Sequence, residues 1–290
     1  MRKASLRSVL AADAPLVTPL AHDALSARLI EQAGFKAFTI GGSALLASRH
    51  AYPDIGLIGL ADMVAGMRDI SAATTIPFLA DGDDGYGDVK SVARMIHAYE
   101  DIGVGGVLIE DQDRDKKQQR AEKALGVVDE EVICRKLRVA LAARRDKELM
   151  VIGRTDAYGA LGLDAALKRA ERYVALGCDG IFVAGLRTEQ DYRRVGRALK
   201  GQFLSAAMFE AGDTPWISPR DLFEMGFRHV SFPVSMILRV VGAMRSGLYA
   251  LREFAEGRGM VPPLADAPAT RAALDQAVGL AAWRGYEALK

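Results

Sequence analysis

Residues 77–111 read PFLADGDDGYGDVKSVARMIHAYEDIGVGGVLIED, and this stretch decides the fold class. It opens with a short apolar run, Pro77 to Asp81, and closes with another, Gly105 to Glu110. Between them Val89, Val92, Ile96 and Tyr99 recur at three- and four-residue spacing, the period of a helix that buries one face. Asp88 stands where an N-cap belongs, and Gly103 stands where a residue tolerant of positive φ ends a helix. Strand, helix and second strand make one βα repeat.

The same repeat extends in both directions. Strands are expected near Leu16 to Leu20, Ala37 to Gly41, Pro77 to Asp81, Gly105 to Glu110, Leu149 to Arg154, Gly180 to Ala184, Gln202 to Ala206 and His229 to Phe232. Helices are expected over Asp23 to Ala33, Asp88 to Asp101, Asp129 to Arg145, Asp164 to Leu176 and Thr188 to Leu199, each opened by its Asp or Thr as N-cap. Gly34, Gly103 and Gly177 close three of them. Eight such units predict an α/β fold closed as a (β/α)8 barrel over residues 1–257. Residues 258–290, with Pro262, Pro263 and a helical segment from Thr270 onward, read as a C-terminal helical arm that docks on a neighbouring subunit.

Composition narrows the function. The chain has 290 residues, 38 basic against 37 acidic side chains and a formal net charge of +1. No charge run offers a field for a polyphosphate backbone, so nucleic acid is not an expected partner. No apolar stretch reaches the ~18 residues of a membrane span, and no export signal is read at the start. Cys134 and Cys178 have no CxxC or His-rich company, so a reducing cytoplasm is expected and neither thiol is read as a nucleophile.

In such a barrel, chemistry sits at the carboxyl ends of the strands. Those ends are acidic here: Asp81-Gly82-Asp83-Asp84, Glu110-Asp111-Gln112 and Arg154-Thr155-Asp156. Asp81, Asp83 and Glu110 together form an oxygen-rich pocket suited to Mg2+ or Mn2+, with Arg154 as the opposing cation. The competing reading makes these residues helix caps and loop solvators, Asp84 and Asp156 above all. Gly41-Gly42-Ser43 opens a helix whose backbone N–H groups suit a carboxylate or phosphate, although a plain turn explains the same residues. His22 follows the first strand and is a candidate for lining the site, whereas His97, inside a helix, reads as structural.

These residues resemble the isocitrate lyase and phosphoenolpyruvate mutase superfamily, particularly its methylisocitrate lyase and oxaloacetate decarboxylase branch. The resemblance spans nearly the whole chain. It lies in His22-Asp23-Ala24-Leu25-Ser26-Ala27, Gln32-Ala33-Gly34-Phe35, Gly41-Gly42-Ser43, Tyr52-Pro53-Asp54, the Asp81 to Gly87 loop, Ile109-Glu110-Asp111-Gln112, Arg154-Thr155-Asp156-Ala157 and Thr214-Pro215-Trp216. It implies a barrel whose eighth helix is exchanged between subunits of a homodimer or homotetramer. It also implies Mg2+ held by Asp83 directly and by Asp81, Asp54 and Glu110 largely through water. Asp54, Glu110 and Arg154 are the implied catalytic residues, and Gly41, Gly42, Ser43, Arg154 and His22 the substrate-binding ones. Substrates would be 2-oxo or 2-hydroxy carboxylic acids, processed through a pyruvate-like enolate.

The departures redirect the expected activity. Lyases of the family carry a Lys-Arg-Cys-Gly-His loop after the fourth strand, where this chain has Asp113 to Arg120 without Cys, Gly or His. Ala184 stands for a usual Glu, and Ala207-Met208-Phe209-Glu210 replaces a usual Asn-containing turn. The leading expectation is Mg2+-dependent decarboxylation of oxaloacetate or a related 2-oxo diacid. The alternatives are a C–C lyase for a methylisocitrate- or dimethylmalate-like 2-hydroxy acid, with Ala184, Ala207 and Met208 making the pocket more apolar, and a noncatalytic relative.

Overall fold

The computed structural model describes residues 3–114, 126–210, 212, 214–261, 264–287 and 289. A single 3-10 turn, Leu6–Val9, precedes β1 (Leu16–Pro19). There follow α1 (Ala24–Gln32), β2 (Phe38–Ile40), α2 (Gly42–His50), α3 (Leu60–Ala72), β3 (Phe78–Asp81), α4 (Val89–Ile102) and β4 (Gly106–Glu110). The chain continues through α5 (Glu130–Ala143), β5 (Met150–Thr155), α6 (Ala157–Leu161), α7 (Leu163–Ala175), β6 (Gly180–Val183) and α8 (Glu189–Ala198). Then come β7 (Leu204–Ala207), α9 (Pro219–Glu224), β8 (Phe227–Phe232), α10 (Ser235–Ala255), α11 (Ala267–Ala277) and α12 (Leu280–Glu287).

Every expected strand forms, and all neighbours pair in parallel in the order β1-β8-β7-β6-β5-β4-β3-β2. The barrel is nearly closed. Where β1 meets β2 the described backbone forms no ladder but a bridge between Leu20 and Thr39, with Ala21 N–H donating to Thr39 O at 2.9 Å.

Two apolar layers hold the barrel. Outside the strands, α4 turns Val92, Met95, Ile96 and Tyr99 inward, and all four are fully buried. Each such side chain contributes about 1.5–3 kcal/mol of transfer free energy. Inside the strands, Leu16, Leu79, Met150, Ile152 and Phe182 pack together, and Leu6 of the 3-10 turn joins them against Gly105 and Gly106.

Capping follows the sequence at four of five helices: Asp23, Asp88, Asp129 and Thr188 each accept a backbone N–H of the first turn. The exception is Asp164, which lies within the first turn of α7 while Gly162 takes the cap position at φ 85°. The short helix α6 ends at this same residue, and the chain must pass through a positive φ to begin α7, a conformation glycine adopts without a Cβ penalty. Gly34, Gly103 and Gly177 do have the positive φ that their helix-ending role requires.

The chain divides into two compact units, residues 1–235 and 236–290. The first holds the barrel; the second consists of most of α10 with α11 and α12. No helix among the described residues is long and apolar enough to cross a membrane.

Candidate active site

The carboxyl ends of the strands surround a cavity of about 290 Å3. Asp54, Asp81, Glu110, Gln112 and Arg154 border it on one side, with Gly41 and Ser43 at the start of α2. Leu20, Leu108, Phe182, Ala207 and Phe209 supply its apolar wall, and Thr39 and Ser231 add hydroxyls.

Asp81 ends β3 and is fixed twice. Its Oδ1 accepts from Asp83 N–H at 2.9 Å, and its Oδ2 from Gly42 N–H at 3.2 Å. The N-terminus of α2 therefore does hold a carboxylate, but the protein's own, where the helix dipole favours negative charge. The loop that follows is tightly wound: Asp83 and Tyr86 take positive φ values of 47° and 59°, the kind of backbone strain that collects at functional sites. Gly82 makes this possible, because a Cβ there would meet Leu108 O at 2.7 Å. Asp83 is 4% exposed, and its backbone carbonyl accepts from Glu110 N–H at 2.9 Å, which couples the loop to β4.

Glu110 and Arg154 face each other across the paired ends of β4 and β5. Arg154 Nη1 lies 2.8 Å from Glu110 Oε2, and its Nε and Nη2 bind both oxygens of Asp156 at 2.9 and 2.8 Å. Phe182 lies under the guanidinium, 5.5 Å from ring centroid to Cζ. Burial acts against the charge of Arg154, but the Asp156 and Glu110 carboxylates outweigh it and hold the group protonated well above its ordinary range. The Asp156 side chain caps no helix and serves as one arm of this clamp. Asp84 is likewise no solvating loop residue: its carboxylate meets Arg114 Nε at 3.3 Å and Lys136 Nζ at 3.2 Å. Asp111, fully buried, accepts from Thr155 Oγ1, Asp156 N–H, Arg169 Nη1 and Tyr173 Oη, and so braces the β5 end from behind.

Other expected site residues lie elsewhere. His22 is buried but borders a separate cleft with Ser48, Arg49 and Asp69 between α1, α2 and α3, and it is absent from the wall of the central cavity. Met208 packs into the layer outside the strands, and neither it nor Ala184 lines the cavity; of the three residues expected to make the pocket more apolar, only Ala207 does. Residues 115–120 of the stretch after the fourth strand, and Pro262 and Pro263 of the expected arm, lie outside the described residues.

Sequence reasoning passed over three groups. Arg114 places Nη2 3.0 Å from Asp83 Oδ2 and donates to Gly56 O and Ile58 O, tying three loops together. Phe182 and Phe209, at the ends of β6 and β7, were detectable by the same strand-end rule that found the acids. Gln112 is 2% exposed, and neither amide atom has a hydrogen-bond partner among the described residues. An unmet buried amide costs about 1–3 kcal/mol, a deficit that a polar ligand in the cavity can remove.

Among the described residues no three His, Cys, Asp or Glu side chains converge as a metal cage. The donor chemistry still fits Mg2+, which takes hard oxygens, commonly one or two carboxylates, and completes its shell with water and substrate.

A (β/α)8 barrel with ionisable groups gathered at the carboxyl ends of its strands has the architecture of an enzyme. The family model described as phosphoenolpyruvate phosphomutase matches residues 6–252. The chain belongs to the phosphoenolpyruvate mutase/isocitrate lyase superfamily. It groups there with carbon–carbon lyases. A probable 2-methylisocitrate lyase of Corynebacterium glutamicum is 35% identical over 89% of this chain and 84% of its own. An oxaloacetate decarboxylase of Bradyrhizobium sp. is 31% identical over 86% of each. The solved structure of a phosphonopyruvate hydrolase in complex with oxalate and Mg2+ superposes with a TM-score of 0.82 at 26% identity, covering 98% of this chain and 97% of that one.

Proposed function

We propose that this lyase decarboxylates oxaloacetate or a related 2-oxo diacid through an enolate. The observation that carries the reading is the clamped guanidinium of Arg154 beside the cavity, with no thiol in reach. Glu110 and Asp156 fix Arg154 from two sides, so its charge is oriented before any ligand arrives. Preorganised charge of this kind stabilises an anion without reorganisation at the moment of reaction. When the C–C bond breaks, its electron pair remains as the enolate and CO2 leaves neutral, so the leaving group needs no acid. Water then supplies the proton to the enolate carbon. Burial pushes both cysteine thiols up, Cys178 to about 12, which suits neither to acid–base work at neutral pH.

Asp83, together with Asp81, Asp54 and Glu110 acting through water, would hold a divalent ion, Mg2+ or Mn2+, which when bound supplies Lewis-acid stabilisation of the enolate charge. Gly41 and Ser43 border the cavity from the helix start and are assigned to the substrate carboxylate. The apolar wall of Phe182, Ala207 and Phe209 favours a second reading, a C–C lyase acting on a 2-hydroxy acid with an alkyl substituent, the activity class named for the Corynebacterium relative.

A Mg2+-supplemented screen of 2-oxo and 2-hydroxy diacids, read by release of pyruvate or CO2, tests both. Oxaloacetate should turn over well above its spontaneous rate, and isocitrate and methylisocitrate poorly. Faster cleavage of either 2-hydroxy acid would make the second reading the correct one.

The proposal includes self-association. α10 exposes Leu238, Val241, Met244, Leu248, Leu251 and Phe254, an apolar surface of the kind that marks an interface. A second copy of this chain covers it, as a homodimer or homotetramer with or without helix exchange, and a monomeric mass at micromolar concentration would contradict this.

A further inference from the structure

Four polar side chains inside the barrel form one hydrogen-bonded line. Thr39 Oγ1 lies 2.8 Å from Thr18 Oγ1, which lies 2.7 Å from His229 Nε2. His229 Nδ1 is 2.5 Å from Ser205 Oγ. The line crosses β2, β1, β8 and β7. Thr18, His229 and Ser205 are 0%, 1% and 2% exposed, and of the four only Thr39 borders the cavity.

The direction of the line follows from counting hydrogens. Burial lowers His229 to about 4, so its imidazole is neutral at neutral pH and carries one N–H. Three hydroxyls and that N–H offer four hydrogens for three bonds, and one is left over. If Thr39 donated to Thr18, the line would run inward and the spare hydrogen would sit on Ser205, which is buried and has no other recorded partner among the described residues. If Thr18 accepted from both neighbours, its own hydrogen would be stranded in the same way. A buried donor without an acceptor loses its hydration and regains nothing. The opposite direction strands none: Ser205 donates to Nδ1, Nε2–H donates to Thr18, and Thr18 donates to Thr39. The spare hydrogen then belongs to Thr39, beside the cavity.

We infer that Thr39 is a ligand-binding residue whose hydroxyl, aligned by Thr18, His229 and Ser205, donates a hydrogen bond to a carboxylate or 2-oxo oxygen of the bound acid. This rests on the reading of the cavity as a 2-oxo or 2-hydroxy acid site. Thr39 is then a specificity element, because a fixed donor selects against ligands that offer no acceptor there. Thr18, His229 and Ser205 are positioning residues.

The test uses the whole protein with Mg2+ and the variants Thr39→Val, Thr39→Ala, Thr39→Ser and Thr18→Val. Steady-state turnover of oxaloacetate is measured beside equilibrium binding of the unreactive diacid malonate, and imidazole 15N NMR reads the His229 tautomer. Thr39→Val and Thr39→Ala should raise KM and weaken malonate by about tenfold or more, with kcat within about threefold, as loss of a bond to a charged acceptor implies. Thr39→Ser should stay near wild type, Thr18→Val should fall between, and His229 should carry its proton on Nε2. Wild-type KM and malonate affinity in either hydroxyl-free variant, or a proton on Nδ1, overturns the inference. If the wild type turns over no 2-oxo or 2-hydroxy acid, the proposed function fails on its own. The malonate arm still decides: a weakened Thr39→Val upholds the donor, and equal affinity or no binding at all overturns it.

Discussion

The two sides of the cavity solve the same problem in different ways. On the β3–β5 side, Asp81, Glu110 and Arg154 are ionisable groups, each held by an ionisable partner or a backbone N–H. On the opposite side Thr39 borders the cavity, and behind it Thr18, His229 and Ser205 form a neutral line held by one another. The first side keeps carboxylates and a guanidinium desolvated together, which carries an electrostatic cost. The neutral side adds direction at little electrostatic cost. Under the proposed function, the neutral side would fix where the acid sits and the other side would stabilise what it becomes.

Removing a charge should have the largest effect. Asp83→Ala is expected to lower Mg2+-dependent turnover about 10^3-fold or more while circular dichroism shows an intact fold. Wild-type turnover in that variant, or in excess chelator, would erase the distinction between the two sides. Arg154→Met should lower kcat about 10^2-fold and, by leaving Glu110 and Asp156 facing each other without a cation, lower unfolding stability by about 3 kcal/mol. Denaturant midpoints and steady-state kinetics read the two effects separately.

The neutral side is broken by acid instead. His229 titrates at about 4 in the fold against 6.5 when unperturbed, so between these values the unfolded chain binds more protons. Stability should therefore fall as pH drops from about 6.5 to about 4, by roughly 3 kcal/mol at the lower end. His229→Gln, which keeps a donor and an acceptor, should flatten this part of the stability curve; an unchanged curve would place the acid sensitivity elsewhere. The smallest effect belongs to the thiols: replacing Cys134 and Cys178 with Ala should leave kcat within about twofold of wild type.

The same contrast explains what could be read from the sequence. Asp81, Glu110 and Arg154 stand out because charges at the ends of apolar runs demand a reason, and the strand-end rule supplied it. Thr18, Thr39 and Ser205 each sit singly within a run of apolar residues, where a β-branched or small polar residue passes as ordinary strand composition. His229 was visible but isolated, since its partners come from other strands and are brought to it only by barrel closure. His22 follows β1, yet the chain turns it toward α2 and α3, a turn that its place after a strand does not reveal. The helix starts were legible from local capping chemistry, and Asp164 failed because two helices share Gly162, a junction that local periodicity does not mark.

The junction of β1 and β2 has a mechanical consequence. Elsewhere the wall is a continuous hoop of paired strands, but here, among the described residues, it is fastened by one bridge, which includes the Ala21 amide, and by the Thr18–Thr39 hydroxyl pair. Local opening is easiest where the fewest backbone bonds must break, so the Ala21 amide should exchange with solvent before those of β4 and β5. A hoop with one weak link dilates at that link. Parting β1 from β2 would therefore widen the barrel while every ladder stays intact.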